Sequence, residues 1–230
     1  MMTWDTKRGG MFRVKICGVT TPGDATHAVA CGADAVGVNF FRGSRRFVDE
    51  GAAREIVRAI GNRAAVVGVF VNASPEEIVA VCGRLGITRV QLHGDEPAEV
   101  AGRIPLWRIK AVHAGGRVDL AELPEYPCEA LLVDAGTPGD YGGTARELPW
   151  KSLRERFGEL LAWPGTPGPG TAWALAGGLT PENVERAIAA ARPFAVDVAT
   201  GVESAPGKKD PEKVAAFVER AKRGLLLAGA

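Results

Sequence analysis

The chain has no Cys-x-x-Cys pair, no long apolar run and almost no excess charge of either sign. Its four cysteines, Cys17, Cys31, Cys82 and Cys128, lie far apart, so neither a disulfide framework nor a thiolate metal cluster is indicated. Free thiols of this kind fit a reducing compartment. Lys and Arg number 28 against 27 Asp and Glu, which leaves no basic face for nucleic acid. No apolar stretch approaches the roughly 20 residues that span a bilayer. The leader MMTWDTKRGG lacks the apolar centre of a secretory signal. These absences exclude nucleic-acid and membrane partners and point to a soluble cytoplasmic protein. What the chain does have is bulk: 46% of its 230 residues are hydrophobic, enough for a substantial core.

Short β-branched runs alternate with longer helical patterns. The strands expected are FRVKIC (12–17), DAVGVNFF (34–41), AAVVGVFV (64–71), TRVQLH (88–93), LWRIKAV (106–112), EALLVD (129–134), AWALAG (172–177) and FAVDVA (194–199). Helices are expected near 22–31, 49–60, 75–84, 96–102, 117–123, 149–160, 181–191 and 210–227. Ser74-Pro75, Thr180-Pro181 and Asp210-Pro211 each set a capping side chain before a proline suited to the first helical position. Strict alternation implies parallel strands joined by right-handed crossovers. Eight β-α units in 230 residues fit a single (β/α)₈ TIM barrel, which typically takes roughly 250. The rival, an open doubly wound sheet, usually carries G-x-G-x-x-G after its first strand, and ICGVTTPGDA does not. Residues 1–11 are expected as a flexible leader and 12–230 as the barrel domain, with the Gly/Pro-rich WPGTPGPGTAW (163–173) a loop on its bottom face.

Barrel active sites form at the carboxyl ends of the strands. The polar residues there are Cys17 on strand one, His93 on strand four, Asp134 on strand six and Asp197 on strand eight. A lone strand-end cysteine is more often core filler than a reactive thiol, but four polar groups on one rim are harder to dismiss. Alternation puts Arg13, Lys15 and Cys17 on one strand face. Lys15 then points into the barrel beneath Cys17, needs a buried partner such as Asp197, and favours the thiolate of Cys17. Gly177-Gly178 after strand seven and Ala199-Thr200-Gly201 after strand eight occupy the usual phosphate position of this fold. In RGSRRFV, Arg42, Arg45 and Arg46 offer forks for a carboxylate, against the plainer reading of a solvated basic loop. His27 and His113 carry no evident role. No metal site is indicated.

In order along the chain, VKICGVT, GADAVGVNF, SRRFV, VGVFVN, VQLHGDE, LLVDAGTPGDYGGT, ALAGGLTPENV and FAVDVATGVESAPGKKD resemble the motifs of phosphoribosylanthranilate isomerases. The resemblance runs from about Arg13 to Lys222. It implies a cofactor-free barrel enzyme of tryptophan biosynthesis, acting as monomer or homodimer on a small phosphorylated aminosugar. It also implies Cys17 as general base, Asp134 as general acid and Arg46 as the group that meets the anthranilate carboxylate. Two departures stand out: Ala199-Thr200 where the family often has two serines, and Ala145 where a glycine commonly closes the turn after strand six. A related phosphosugar enzyme would need metal ligands or a lysine acid at the strand ends. A phosphate-sensing relative would not need Cys17 and Asp134 together.

Overall fold

The computed structural model describes residues 10–113, 123–134, 150–161 and 173–229. Eight strands form a closed barrel: β1 (Val14–Ile16), β2 (Ala35–Asn39), β3 (Ala65–Phe70), β4 (Arg89–Leu92), β5 (Trp107–His113), β6 (Ala130–Asp134), β7 (Trp173–Leu175) and β8 (Ala195–Val198). All neighbours pair in parallel and in chain order, and β8 closes on β1 with Lys15 opposite Asp197. Around them lie α1 (Pro22–Ala30), α2 (Glu50–Ile60), α3 (Pro75–Leu85), α4 (Ala98–Gly102), α5 (Trp150–Leu161), α6 (Val184–Ala191) and α7 (Pro211–Leu227).

The period of two along each strand sorts side chains between two apolar layers. Val14 and Ile16, Val36 and Val38, and Val90 and Leu92 face the helices, in one cluster with Ile56, Ile78 and Phe217. Phe12, Val67, Ile109, Leu132 and Phe194 form the other cluster, inside the barrel. Burying a side chain of this size is worth about 1.5–3 kcal/mol, so the two layers together dominate stability. Polar residues of the inward set, including Lys15, Gln91 and Asp197, are therefore buried for a reason other than packing.

The helix starts follow the capping chemistry in most places. Side chains of Thr21, Ser74 and Asp210 each accept a backbone N–H at the first turn of α1, α3 and α7, with proline just inside. The start expected at Pro181 is displaced: α6 begins at Val184. Asn183 explains this, because its Oδ1 accepts the Thr180 N–H at 2.8 Å while its Nδ2 donates to the Gly178 carbonyl at 2.9 Å. The side chain holds 181–183 as a turn under the Gly177-Gly178 loop. Met11 is only 4% exposed, so the packed chain reaches one residue into the expected leader, while residues 1–9 lie outside those described. The helix expected over 117–123 also lies outside them, apart from Leu123, which opens a 3-10 turn. So does the segment 163–173, apart from Trp173 at the start of β7. Ala145 falls in the same category.

A short hairpin was not expected. β9 (Glu203–Ala205) and β10 (Lys208–Lys209) pair antiparallel after a 3-10 turn that follows β8. Strands of three and two residues leave almost no periodic signal in sequence.

Candidate active site

At the carboxyl end of the barrel lies one cavity of about 380 Å³, a size suited to a small-molecule ligand. Cys17, Arg46, His93, Asp134 and Asp197 all line it. So do Gly177, Gly178, Ala199, Thr200 and Gly201. The nominated strand-end and turn residues, with Arg46, are thus brought to one place by strand alternation and by the shared polarity of eight parallel strands, whereas Arg42 and Arg45 are not. Cys17 stands just past β1, where its N–H donates to the Val198 carbonyl at 2.7 Å. Gly37 on the neighbouring strand makes the space: a Cβ there would lie 2.6 Å from the Cys17 sulfur.

Beneath the thiol, Lys15 is fully buried, and its Nζ donates to Asp197 Oδ1 at 2.8 Å and to Gln91 Oε1 at 3.0 Å. The partner expected for Lys15 is the one found. Burial pulls the Lys15 pKa down, but the Asp197 charge and hydrogen bond outweigh it, and the net shift is upward. Lys15 is an ammonium. Lys15 lowers the Cys17 pKa, as expected, but it does not decide the balance. Burial and the Asp197 charge push the thiol pKa up, and the cations Lys15 and Lys209 recover only part of that. The resting group is the thiol, because the barrel mouth desolvates the sulfur and the ion pair beneath it presents an anion as well as a cation.

Asp134 ends β6, 5% exposed. His93 Nε2 stands 3.4 Å from its Oδ2, and His93 Nδ1 lies 2.6 Å from Gln91 Nε2. His113, given no role from sequence and left just outside the expected strand 106–112, is the last residue of β5 and pairs in register with Asp134. Its ring meets that of His93 edge-on, with centroids 5.5 Å apart.

Arg46 is not an unclaimed fork. Its Nε and Nη2 donate to Glu203 Oε1 and Oε2 at 2.6 and 2.7 Å, and Nη2 also donates to Thr200 Oγ1 at 3.0 Å. Glu203 further accepts from Lys209 Nζ at 3.0 Å. Burial alone would raise the Glu203 pKa, yet these two cations hold it below the usual carboxylate range. The bidentate geometry expected for a substrate carboxylate is therefore already taken by a protein carboxylate, and the Nη1 edge is what remains for an incoming anion. Arg42 and Arg45 are exposed, and Arg42 stacks on Phe47.

The two turns nominated for phosphate meet each other. Gly177 and Gly178 both have positive φ (80° and 64°), a conformation few other residues adopt. Gly201 packs so closely on the first turn that a Cβ would sit 1.8 Å from the Leu179 carbonyl oxygen. Four residues escaped the sequence reading: Gln91, His113, Glu203 and Lys209. Gln91 had a usable signal, since it precedes His93 by two on the same strand face. Glu203 and Lys209 had none, because the hairpin that presents them is itself illegible.

A sequence profile described as N-(5'-phosphoribosyl)anthranilate (PRA) isomerase matches residues 14–220. The chain belongs to this family. Among curated relatives, the N-(5'-phosphoribosyl)anthranilate isomerase of Neisseria meningitidis serogroup C is 44% identical over 214 residues, covering 92% of this chain and 97% of that protein. The crystal structure of phosphoribosyl anthranilate isomerase from Thermotoga maritima superposes with a TM-score of 0.81 at 38% identity, covering 93% and 100% of the two chains. A second structure of the enzyme holds reduced 1-(o-carboxyphenylamino)-1-deoxyribulose 5-phosphate and superposes with a TM-score of 0.77 at 37% identity, covering 93% and 100%. Members of the phosphoribosylanthranilate isomerase family catalyse a step of tryptophan biosynthesis, and the isomerisation is the activity of this barrel.

Proposed function

We propose that Cys17 is the general base and Asp134 the general acid in the Amadori rearrangement of N-(5'-phosphoribosyl)anthranilate to 1-(2-carboxyphenylamino)-1-deoxyribulose 5-phosphate. The observation that carries this reading is the placement of a strand-end thiol and a strand-end carboxyl in one cavity, on β1 and β6, with the glycine turns of β7 and β8 on the arc between them. Phosphate held at those turns sets the ribose between the two groups.

Protonated Asp134 gives its proton to the furanose ring oxygen as the C1′–O bond breaks, leaving a protonated Schiff base and a 4′-hydroxyl. The Cys17 thiolate takes the C2′ proton, and the electron pair moves to form the enolamine. Ketonisation moves one proton from the C2′ hydroxyl to C1′, so the product is an isomer. Return of a proton from Cys17 to Asp134 through solvent resets the site. The raised thiol pKa makes the thiolate scarce but strongly basic, which suits abstraction of a carbon-bound proton. Arg46, through Nη1, meets the anthranilate carboxylate. The ligand is a small phosphorylated aminosugar and the setting the cytoplasm, where free thiols persist. Among the described residues, no helix is long and apolar enough to cross a membrane.

The acid assignment is tested by Asp134→Asn, which keeps the shape and loses the proton. It is expected to lower kcat by roughly 10²–10⁴-fold with KM little changed. A collapse of affinity at unchanged kcat would make Asp134 a binding residue instead.

A further inference from the structure

Lys15, Gln91 and His93 form one polar chain inside the barrel, running from Asp197 below the thiol to Asp134 across the cavity. The chemistry of its members fixes every orientation. An ammonium can only donate, so the Gln91 atom 3.0 Å from Lys15 Nζ is the carbonyl oxygen. The Gln91 amide nitrogen is then the atom 2.6 Å from His93 Nδ1. An amide NH₂ can also only donate, so Nδ1 must present its lone pair. In the neutral ring the hydrogen therefore sits on Nε2, the nitrogen that faces Asp134 Oδ2 at 3.4 Å.

We propose that Gln91 is a positioning residue: held by Lys15, it locks His93 as the Nε2–H tautomer, which reserves Oδ2 of Asp134 as an acceptor and leaves the acidic proton on the other oxygen. The proposal rests on Asp134 being the acid. At 3.4 Å the contact is longer than a hydrogen bond, and His93 Nε2 has no other partner among the described residues, so it closes onto Oδ2 when substrate is bound. A carboxyl group with one oxygen fixed as acceptor has a defined direction in which to donate.

The lock also decides a second question. His93, His113 and Asp134 bring three potential ligand atoms within 4.8 Å of one another, a two-histidine, one-carboxylate set. With its hydrogen on Nε2, His93 offers no lone pair there, and the set falls short of a metal site. Turning the Gln91 amide to release that lone pair would aim an NH₂ group at the Lys15 ammonium.

The lock is read directly by long-range ¹H–¹⁵N correlation NMR on ¹⁵N-histidine-labelled protein. With only three histidines in the chain, His93→Gln assigns the signal. The expected spectrum has a protonated Nε2 and an unprotonated Nδ1. Gln91→Met, similar in size and unable to donate, is expected to lose that preference and to lower kcat roughly tenfold or more with KM nearly unchanged, as part of the contribution of a positioned acid. An Nδ1–H tautomer in the parent overturns the lock and leaves the role of Asp134 standing. The expected tautomer in the parent with kcat unchanged in Gln91→Met overturns the link from the lock to Asp134. The parent spectrum decides the first point even where Gln91→Met fails to fold.

Discussion

At Cys17 two charges of opposite sign compete over one proton. Burial and Asp197 hold the proton on sulfur, and Lys15 and Lys209 oppose them without prevailing. The rate of Cys17 alkylation by iodoacetamide, followed by peptide mass spectrometry, should therefore rise with pH to a midpoint above the ordinary thiol value of about 8.5. Replacing Lys15 by Met removes one of the opposing cations, so the midpoint should move higher still. The same change leaves Asp197 buried without its cation, and a stability loss of about 3–5 kcal/mol in denaturant unfolding is expected. A midpoint below that of a free thiol would mean that the cations win. Arg46 belongs to the same scale. With its fork held by Glu203, Arg46→Ala should raise KM for phosphoribosylanthranilate while leaving the affinity for inorganic phosphate nearly as it was. Equal weakening of both would put Arg46 at the phosphate end, beside the Thr200 hydroxyl it already touches.

Among elements, the β-to-α loops and the strands that feed them answer to different demands. At the amino ends of the helices, Thr21 and Ser74 act as caps, and replacing either by Ala should cost about 1 kcal/mol of stability with turnover unchanged. Within the strands, backbone room is the limit. Gly37→Ala drives a methyl group into the Cys17 sulfur, 2.6 Å away, so it should depress kcat far more than either cap variant. Equal turnover in Gly37→Ala and the parent would mean that the sulfur position is not critical. The caps, the strands and the glycine turns were legible because each is dictated by local chemistry: a hydroxyl before proline, alternation, a positive φ. The late start of α6 was not, since it depends on Asn183 choosing the loop backbone over the helix. Nor was the β9–β10 hairpin, whose worth lies in a tertiary pairing of Glu203 with Arg46 and Lys209.

For the whole molecule, eight β-α units in register carry chemistry scattered from residue 17 to residue 201 to a single cavity. Parallel strands all end on the same side, so a list of strand-end polar residues is already a list of cavity-lining candidates. That is why the convergence of Cys17, His93, Asp134 and Asp197 on the cavity was legible in sequence. What sequence did not yield was the sign of the electrostatic balance at Cys17 or the prior claim on Arg46, because both depend on distances between strands and loops far apart in the chain. The most direct test of the account is the steady-state rate of Cys17→Ala against the parent, read as loss of substrate fluorescence with freshly prepared phosphoribosylanthranilate, on protein whose thermal unfolding matches the parent. The account predicts a fall of roughly 10²–10⁴-fold in kcat, the contribution of one general base. A Cys17→Ala variant that turns over within about tenfold of the parent would contradict it, and the base would have to be sought elsewhere in the cavity.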